Sequence, residues 1–244
     1  MEGKTKKIVA LTKDGKEFLI GDLSKDFHTH FGVISKNDFS KRKCTTNTGK
    51  EFFLFTPCFV DLFKSMKRAA QVILPKDSAA IVAETMVGKK SVVVDAGVGS
   101  GFLAAFLANI CKKVISYEVR KEFVKIAKKN RDLLGLMNWE IKHKDVKNGI
   151  DEKNVDLVVF DLPEPWNCLD TASAALKRGA FFVCYLPNLT QVKRLVEELG
   201  KRDDFVYIKT IEVFKREWLV KEKLLRPEHH ALTHTAFLVF SRRV

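Results

Sequence analysis

Six residues, Asp161-Leu162-Pro163-Glu164-Pro165-Trp166, set a carboxylate, a stiff turn and a large aromatic side by side after the apolar run Val155-Asp156-Leu157-Val158-Val159-Phe160. Pro163 and Pro165 fix φ and remove two backbone donors, so the turn holds its shape. A carboxylate there can present an acceptor to a planar, amino-bearing substrate. A second constellation lies upstream. Val92-Val93-Val94-Asp95 reads as a buried strand, Ala96-Gly97-Val98-Gly99-Ser100-Gly101 as a glycine-rich turn, and Phe102-Leu103 as the start of a helix. Such glycines let a ligand lie against bare backbone and allow φ values that a Cβ opposes. Glu118 closes the next apolar run, where its carboxylate can accept hydrogen bonds from a ribose diol. A nucleoside-containing cofactor is therefore expected at the carboxyl ends of a parallel sheet.

The glycine spacing narrows the choice of cofactor. Dinucleotide folds use G-x-G-x-x-G and aim a helix N-terminus at a pyrophosphate. Here the spacing is G-x-G-x-G, and Asp95 ends the strand just before it. That carboxylate repels a pyrophosphate but suits the cationic amino group of a methionine moiety. The pattern D-x-G-x-G-x-G resembles motif I of S-adenosylmethionine (SAM) methyltransferases.

The rest of the chain must position these residues. At 244 residues, with 46% hydrophobic side chains, it can bury a core in one α/β domain plus a small appendage. No apolar run reaches the roughly 20 residues of a membrane span, and Met1-Glu2-Gly3-Lys4-Thr5-Lys6-Lys7 is not followed by the apolar core of a signal peptide. The five cysteines (Cys44, Cys58, Cys111, Cys168, Cys184) are dispersed with no C-x-x-C pair, which suits buried thiols in a reducing cytoplasm. His229-His230 and His234 lack acidic or cysteine partners at ligand spacing, so no metal is expected. Net charge is +13, from 43 Lys+Arg against 30 Asp+Glu, spread along the chain rather than held in a tail. A basic surface of this kind is consistent with a polyanionic partner.

Residues 1–57 read as a small β-domain: Ile8-Val9-Ala10-Leu11 and Glu17-Phe18-Leu19-Ile20 flank the turn Lys13-Asp14-Gly15-Lys16, and strand character continues through His28–Ile34 and Glu51–Thr56. Residues 58–244 alternate apolar strands with helical patterns, which predicts βαβ units and a seven-stranded Rossmann-like sheet. Strands are expected near 91–95, 113–118, 139–143, 155–161, 180–185, 205–213 and 234–241, the last two joined by a charged loop. From Glu122 to Leu134 the spacing predicts a helix whose Lys125, Lys128 and Lys129 face solvent.

Further segments carry a specific resemblance. His28-Thr29-His30-Phe31-Gly32-Val33-Ile34, Gln71-Val72-Ile73-Leu74-Pro75-Lys76-Asp77, Ser116-Tyr117-Glu118-Val119-Arg120, Tyr185-Leu186-Pro187-Asn188-Leu189-Thr190-Gln191-Val192, Arg216-Glu217-Trp218 and His234-Thr235-Ala236-Phe237-Leu238-Val239 join the two constellations above. Together they resemble the tRNA adenine-N1 methyltransferase family that makes 1-methyladenosine at T-loop position 58, in its archaeal/bacterial single-gene form. The chain departs from that pattern at Leu74, where the family often has an aromatic near the target base.

The resemblance implies roles for particular residues. SAM would lie across Asp95, Gly97, Val98, Gly99, Ser100 and Gly101, with its ribose on Glu118, its adenine amino group on Asp145, and Asp161 at the junction with the substrate. Asp161 and Tyr185 would be catalytic: adenine N1 already carries a lone pair, so Asp161 need only accept from the target amino group and stabilise the cationic product. Trp166 and Arg226 would touch the tRNA, as would basic residues of the N-terminal domain such as Lys36, Lys41, Arg42 and Lys43. Position 58 lies inside the tRNA elbow, so the base must be extracted, at a cost offset by phosphate contacts. The family also implies a cytoplasmic homotetramer, with the final strands in the subunit interface, and leaves open methylation of position 57. A non-catalytic, methyltransferase-fold tRNA-binding subunit is the alternative, and the intact Asp95 motif, Glu118 and Asp161 argue against it. An oxidoreductase is disfavoured by the glycine spacing.

Overall fold

The computed structural model describes residues 7–69, 71–221, 224–229, 232 and 234–244; His230 and the basic start before Lys7 lie outside the described residues. The chain divides into two compact units, 1–66 and 67–244. The division comes after Met66 rather than after Pro57 because a short helix, α1 (Phe59–Lys64), belongs to the first unit, where Lys64 pairs with Glu17 at 3.1 Å.

In the first unit β1 (Ile8–Leu11), β2 (Glu17–Ile20), β5 (Lys43–Thr45) and β6 (Glu51–Phe55) form an antiparallel sheet ordered β2-β1-β6-β5. The expected run His28–Ile34 is a hairpin of β3 (Phe27–Thr29) and β4 (Gly32–Ile34) rather than one strand. Ala10, Ile20, Ile34, Phe52 and Leu54 make its core. Alternation is clearest in β6, where Phe52 and Leu54 are buried while Glu51, Phe53 and Phe55 are exposed.

The second unit is built on a seven-stranded sheet. Helix α2 (Pro75–Thr85) precedes β7 (Val92–Ala96), followed by α3 (Phe102–Ala108), β8 (Lys113–Glu118), α4 (Lys121–Leu134), β9 (Trp139–His143) and β10 (Val155–Phe160). Then come α5 (Leu169–Ala175), β11 (Leu176–Leu186), α6 (Leu189–Gly200), β12 (Phe205–Glu212), β13 (Trp218–Lys221), β14 (Leu224–Pro227) and β15 (Phe237–Arg243). The order is β12-β15-β11-β10-β7-β8-β9, parallel throughout except for β15, which runs against both its neighbours. Val93, Val94, Leu157, Val158, Val159 and Phe160 are fully buried, as a sheet covered on both faces requires.

Helix α4 buries Phe123, Val124, Ala127 and Asn130 and leaves Lys125, Lys128 and Lys129 in solvent. The expected charged loop between the last two strands is instead the antiparallel ribbon β13–β14. Trp218 and Val220, with Leu224 and Leu225, supply enough β-forming side chains to pair despite the charges around them. Among the described residues no helix is long and apolar enough to cross a membrane.

Candidate active site

Strand order reverses at β7: the chain passes from it to β8 on one side and later returns through β10 on the other. Ligands of open parallel sheets bind at such a switch point, beyond the strand carboxyl ends. Parallel register puts Phe160 beside Ala96, and the Asp161 amide donates to the Ala96 carbonyl at 2.9 Å. On the other flank Phe160 pairs with Cys184, so one residue further Asp161 and Tyr185 come level. Asp95, Gly97, Val98, Gly99, Ser100, Phe102, Leu103 and Asp161 line one cleft with Gln71, Val72 and Ile73.

The three glycines of the turn are glycines for different reasons. All have positive φ. A Cβ on Gly97 would stand 2.1 Å from the Asp161 carbonyl oxygen, and one on Gly101 would stand 2.2 Å from the Trp139 ring. Those two allow the chain to pack on itself. Beside Gly99 the nearest atom is 3.9 Å away. Gly99 alone fits the expectation of bare backbone kept open for a ligand.

Asp95 is 2% exposed and accepts from Ser116 Oγ at 3.0 Å; the Trp139 indole in turn donates to that hydroxyl at 2.9 Å. Glu118 is 3% exposed and is heavily engaged. Its Oε2 accepts from the Gly99 amide at 3.0 Å, and its Oε1 from the amides of Val119 and Arg120 and from Arg120 Nε. It thus shapes the glycine turn that lines the cleft. Burial pushes the Asp95 carboxyl up to about 7, against the pull of Ser116, with the charges of Asp161 and Glu118 adding to it. Burial also lifts Asp161 to about 7; Arg120 opposes the rise and Glu118 adds to it. Carboxylates buried this way lack a cation, and a positively charged ligand would restore their ordinary acidity.

Tyr185 is 4% exposed, and its hydroxyl is buried without a hydrogen-bond partner. Burial, then the charge of Asp77, drives its phenol well above the ordinary range. An unpaired buried hydroxyl beside a raised carboxyl is what a site awaiting a polar substrate looks like.

The other expected residues are placed differently. Asp145 caps a 3-10 turn over Val146–Asn148, its Oδ1 accepting from the Lys147 amide at 2.9 Å. Trp166 packs against the main core, with the Arg194 guanidinium 4.4 Å from its ring centre and its own indole nitrogen buried and unpartnered. Arg226 sits on the ribbon opposite Leu219 and donates to the Pro227 carbonyl at 3.1 Å. In the first unit Lys41 pairs with Asp38 and Lys43 with Glu51, so two cations of that loop already have acids beside them. The buried thiols are Cys44, Cys111, Cys168 and Cys184; Cys58, against expectation, is exposed, because it begins α1 at the edge of its unit. Among the described residues no three His, Cys, Asp or Glu side chains group as a metal site would.

Several contributors were hidden in the sequence. Arg120 donates through Nε to Glu118 and draws on Asp161, and Gln191 Nε2 pins the proline turn by donating to the Pro163 carbonyl at 2.9 Å. Asn130 ties the Ser100 carbonyl, at 2.8 Å, to Lys67 on the approach to the cleft. Arg120 and Gln191 stand in segments that carry the resemblance, but nothing along the chain assigned these contacts to them.

A family model described as the tRNA methyltransferase complex GCD14 subunit matches residues 54–234. A Methanocaldococcus jannaschii tRNA (adenine(57)-N(1)/adenine(58)-N(1))-methyltransferase, TrmI, is 36% identical over 93% of this chain and 92% of its own. The chain belongs to the TrmI family of tRNA adenine-N1 methyltransferases. The crystal structure of the tRNA (m1A58) methyltransferase TrmI from Aquifex aeolicus superposes with a TM-score of 0.85 at 26% identity, covering 99% of this chain and 98% of that one. A Thermotoga maritima structure, described as a SAM-dependent O-methyltransferase, gives a TM-score of 0.90 at 33% identity over 99% of this chain and 94% of its own. Leu74, the expected departure from the family, lies at the N-cap of α2, whose first turn is Pro75-Lys76-Asp77.

Proposed function

We propose that the protein methylates adenine N1 at T-loop position 58 of tRNA, and that position 57 is a second target, as in the name of the M. jannaschii relative. The observation that carries this is the pairing of Asp161, a half-buried carboxyl lining the cleft with its ionisation pushed up to about 7, with the unpartnered Tyr185 hydroxyl at adjacent strand ends. SAM would supply an electrophilic methyl on a sulfonium, and the cleft fits it: open backbone at Gly99 and two lining carboxyls, Asp95 and Asp161, raised by burial suit a ligand that brings positive charge. Glu118 would take the ribose hydroxyls, Asp95 the methionine end, and Asp145, through its second oxygen, the adenine amino group.

The protein's own chemistry is then electrostatic. Asp161 accepts from the target amino group, which raises electron density at N1 and stabilises the charge that appears on the base. No base need remove a proton from N1 before attack. Tyr185 supplies a donor held out of water, and the sheet termini fix the line of approach. Trp166 and Arg226 would touch the tRNA away from the target base.

A homotetramer is part of the proposal. On and beside the ribbon, Phe214, Trp218, Val220 and Leu225 are 60 to 77% exposed, an apolar surface that a second subunit would cover. Mass mapping of a methylated tRNA transcript tests the reaction. One methyl on adenine 58, or on 57 and 58, is expected; a 2′-O-methyl ribose would instead favour the oxygen chemistry in the T. maritima description. Light scattering tests assembly, and a fully active monomer would remove the tetramer.

A further inference from the structure

The two edges of the seven-stranded sheet differ in charge. Asp95, Glu118 and Asp161 stand at or just beyond the carboxyl ends of β7, β8 and β10. The amino ends of the parallel strands carry cations instead: Lys89 and Lys90 before β7, Lys112 before β8, and Lys177 and Arg178 at the start of β11. Arg242 joins them, because β15 runs antiparallel and sets it opposite Phe181. All six are exposed. Lys177 pairs with Asp156 at 2.5 Å, whose other oxygen accepts from the Val92 amide at 2.7 Å. Among the described residues Lys89, Lys90, Lys112, Arg178 and Arg242 have no acid partner.

The backbone is shaped around these cations. While β10 runs from Val155 to Leu157, β11 runs from Leu176 to Phe181, so the intervening residues of β11 bulge out of register. Gly179 turns the bulge at φ +83, with no atom within 4 Å of where a Cβ would stand. A bulge re-aims side chains, and this one sets Lys177 and Arg178 on the wall of an open cleft of about 310 Å³. Met86, Val87 and Phe181 line the same cleft, and the Arg242 guanidinium lies 4.5 Å from the Phe181 ring centre. Ser91 lines it too, so the turn that bears Lys89 and Lys90 borders it. Guanidinium groups over an apolar wall can hold a phosphate while its ribose lies against carbon.

We propose that this amino edge is a tRNA-binding surface separate from the reaction cleft: the ribose-phosphate backbone of one tRNA arm lies between Lys177, Arg178 and Arg242, with Lys89 and Lys90 beside it. Charge favours a polyanion over a second copy of the chain. Two copies meeting here about a two-fold axis would bring the same unpaired cations face to face. The surface is also within reach. β10 is six residues long, so the two edges lie about 20 Å apart, less than the length of either arm of a folded tRNA. The inference rests on tRNA as the substrate and not on the roles assigned within the reaction cleft.

The test is binding of an unmodified tRNA transcript to the full-length protein, followed by fluorescence anisotropy over a salt series. kcat, the SAM dissociation constant, the thermal midpoint and light scattering are read for each variant. Arg178→Gln with Arg242→Gln should weaken tRNA binding about tenfold and lessen the slope of log affinity against log salt by about 1 to 2, as loss of one or two phosphate contacts requires. kcat at saturating tRNA and SAM affinity should stay within about twofold. Arg178→Lys with Arg242→Lys keeps the charge and should hold tRNA affinity within about threefold. Removing two charges from the solvent face of α4, by Lys125→Gln with Lys128→Gln, should change tRNA affinity by less than about twofold. Equal losses from the two charge removals would mean a diffuse field rather than a site, and would overturn the proposal. Unchanged tRNA affinity or salt slope in the Arg178, Arg242 variant would do the same, as would a change in its assembly state, which would give this edge to another subunit. If that variant does not fold, Lys89→Gln with Lys90→Gln carries the same criteria. Methylation by the unaltered enzyme at a position other than 57 or 58 would correct the proposed target and leave this surface standing.

Discussion

Two groups of buried acid in the same unit are treated in opposite ways. Asp77 has no exposed surface, and Lys76 and Thr235 answer both its oxygens. Asp95 and Asp161 line the cleft, and Glu118 shapes its glycine turn through the Gly99 amide. Arg120, whose side chain is 52% exposed, pairs with Glu118 and draws on Asp161, while the charges acting on Asp95 are those of Asp161 and Glu118. The first group is complete without a ligand; the second is not. Burying a charge costs several kcal/mol unless a partner is built in, so a protein that leaves acids short of cations keeps them for a ligand that brings its own. The contrast marks the candidate cleft more sharply than burial does, since Asp95 and Glu118 are almost as inaccessible as Asp77.

The comparison breaks most readily at Lys76. Lys76→Met should lower the unfolding free energy by about 3–5 kcal/mol in urea titrations, because it strands Asp77 without its counter-charge. A loss below about 1 kcal/mol would mean that Asp77 is not held as a charge at all. Removing a charge from the cleft should act on rate rather than stability. Asp161→Asn should cut kcat about 10²-fold in single-turnover methylation, with SAM affinity nearly unchanged. A near-normal rate would take Asp161 out of the chemistry.

Glu118→Ala should weaken SAM binding by about 1.5–3 kcal/mol by calorimetry, through loss of charge-assisted hydrogen bonds and of the anchor on Gly99. Unchanged affinity would contradict the ribose assignment. The smallest effect is on pH dependence. Asp95 and Asp161 ionise near 3.8 in the unfolded chain but near 7 when folded, so folding holds their protons across that window. The unfolded state binds fewer protons there, and the ligand-free protein should lose stability as pH climbs from about 4 to about 7. Thermal midpoints across that range should show it, and Asp95→Asn should flatten the slope. An identical slope in the variant would mean that Asp95 stays ionised.

How much was legible follows from which forces are local. The strand at 113–118 stood out as a short, largely apolar run and that at 139–143 as an alternation of apolar and polar side chains, and both form where expected. The start of β11 at Leu176 was missed by four residues, since Lys177-Arg178-Gly179 reads as a turn; the pairing of Val155 with Leu176 brings it into the strand through an irregular register. The ribbon was missed because its charges outweighed its apolar side chains in a one-dimensional reading. Gly97 and Gly101 were singled out as bare backbone for a ligand, but they are glycine to let Asp161 and Trp139 approach, contacts made across 64 and 38 positions of chain.

The sequence by itself determined the alternation of strand and helix, the glycine turn after β7, and the acids at the strand ends, because propensity, periodicity and turn chemistry act over a few residues. Only the tertiary structure decided which of those acids are neutralised. Asp77 meets Thr235, and Asp161 comes level with Tyr185, through strand order and register. Charge is screened or exposed by neighbours in space, and those neighbours lie far apart along the chain.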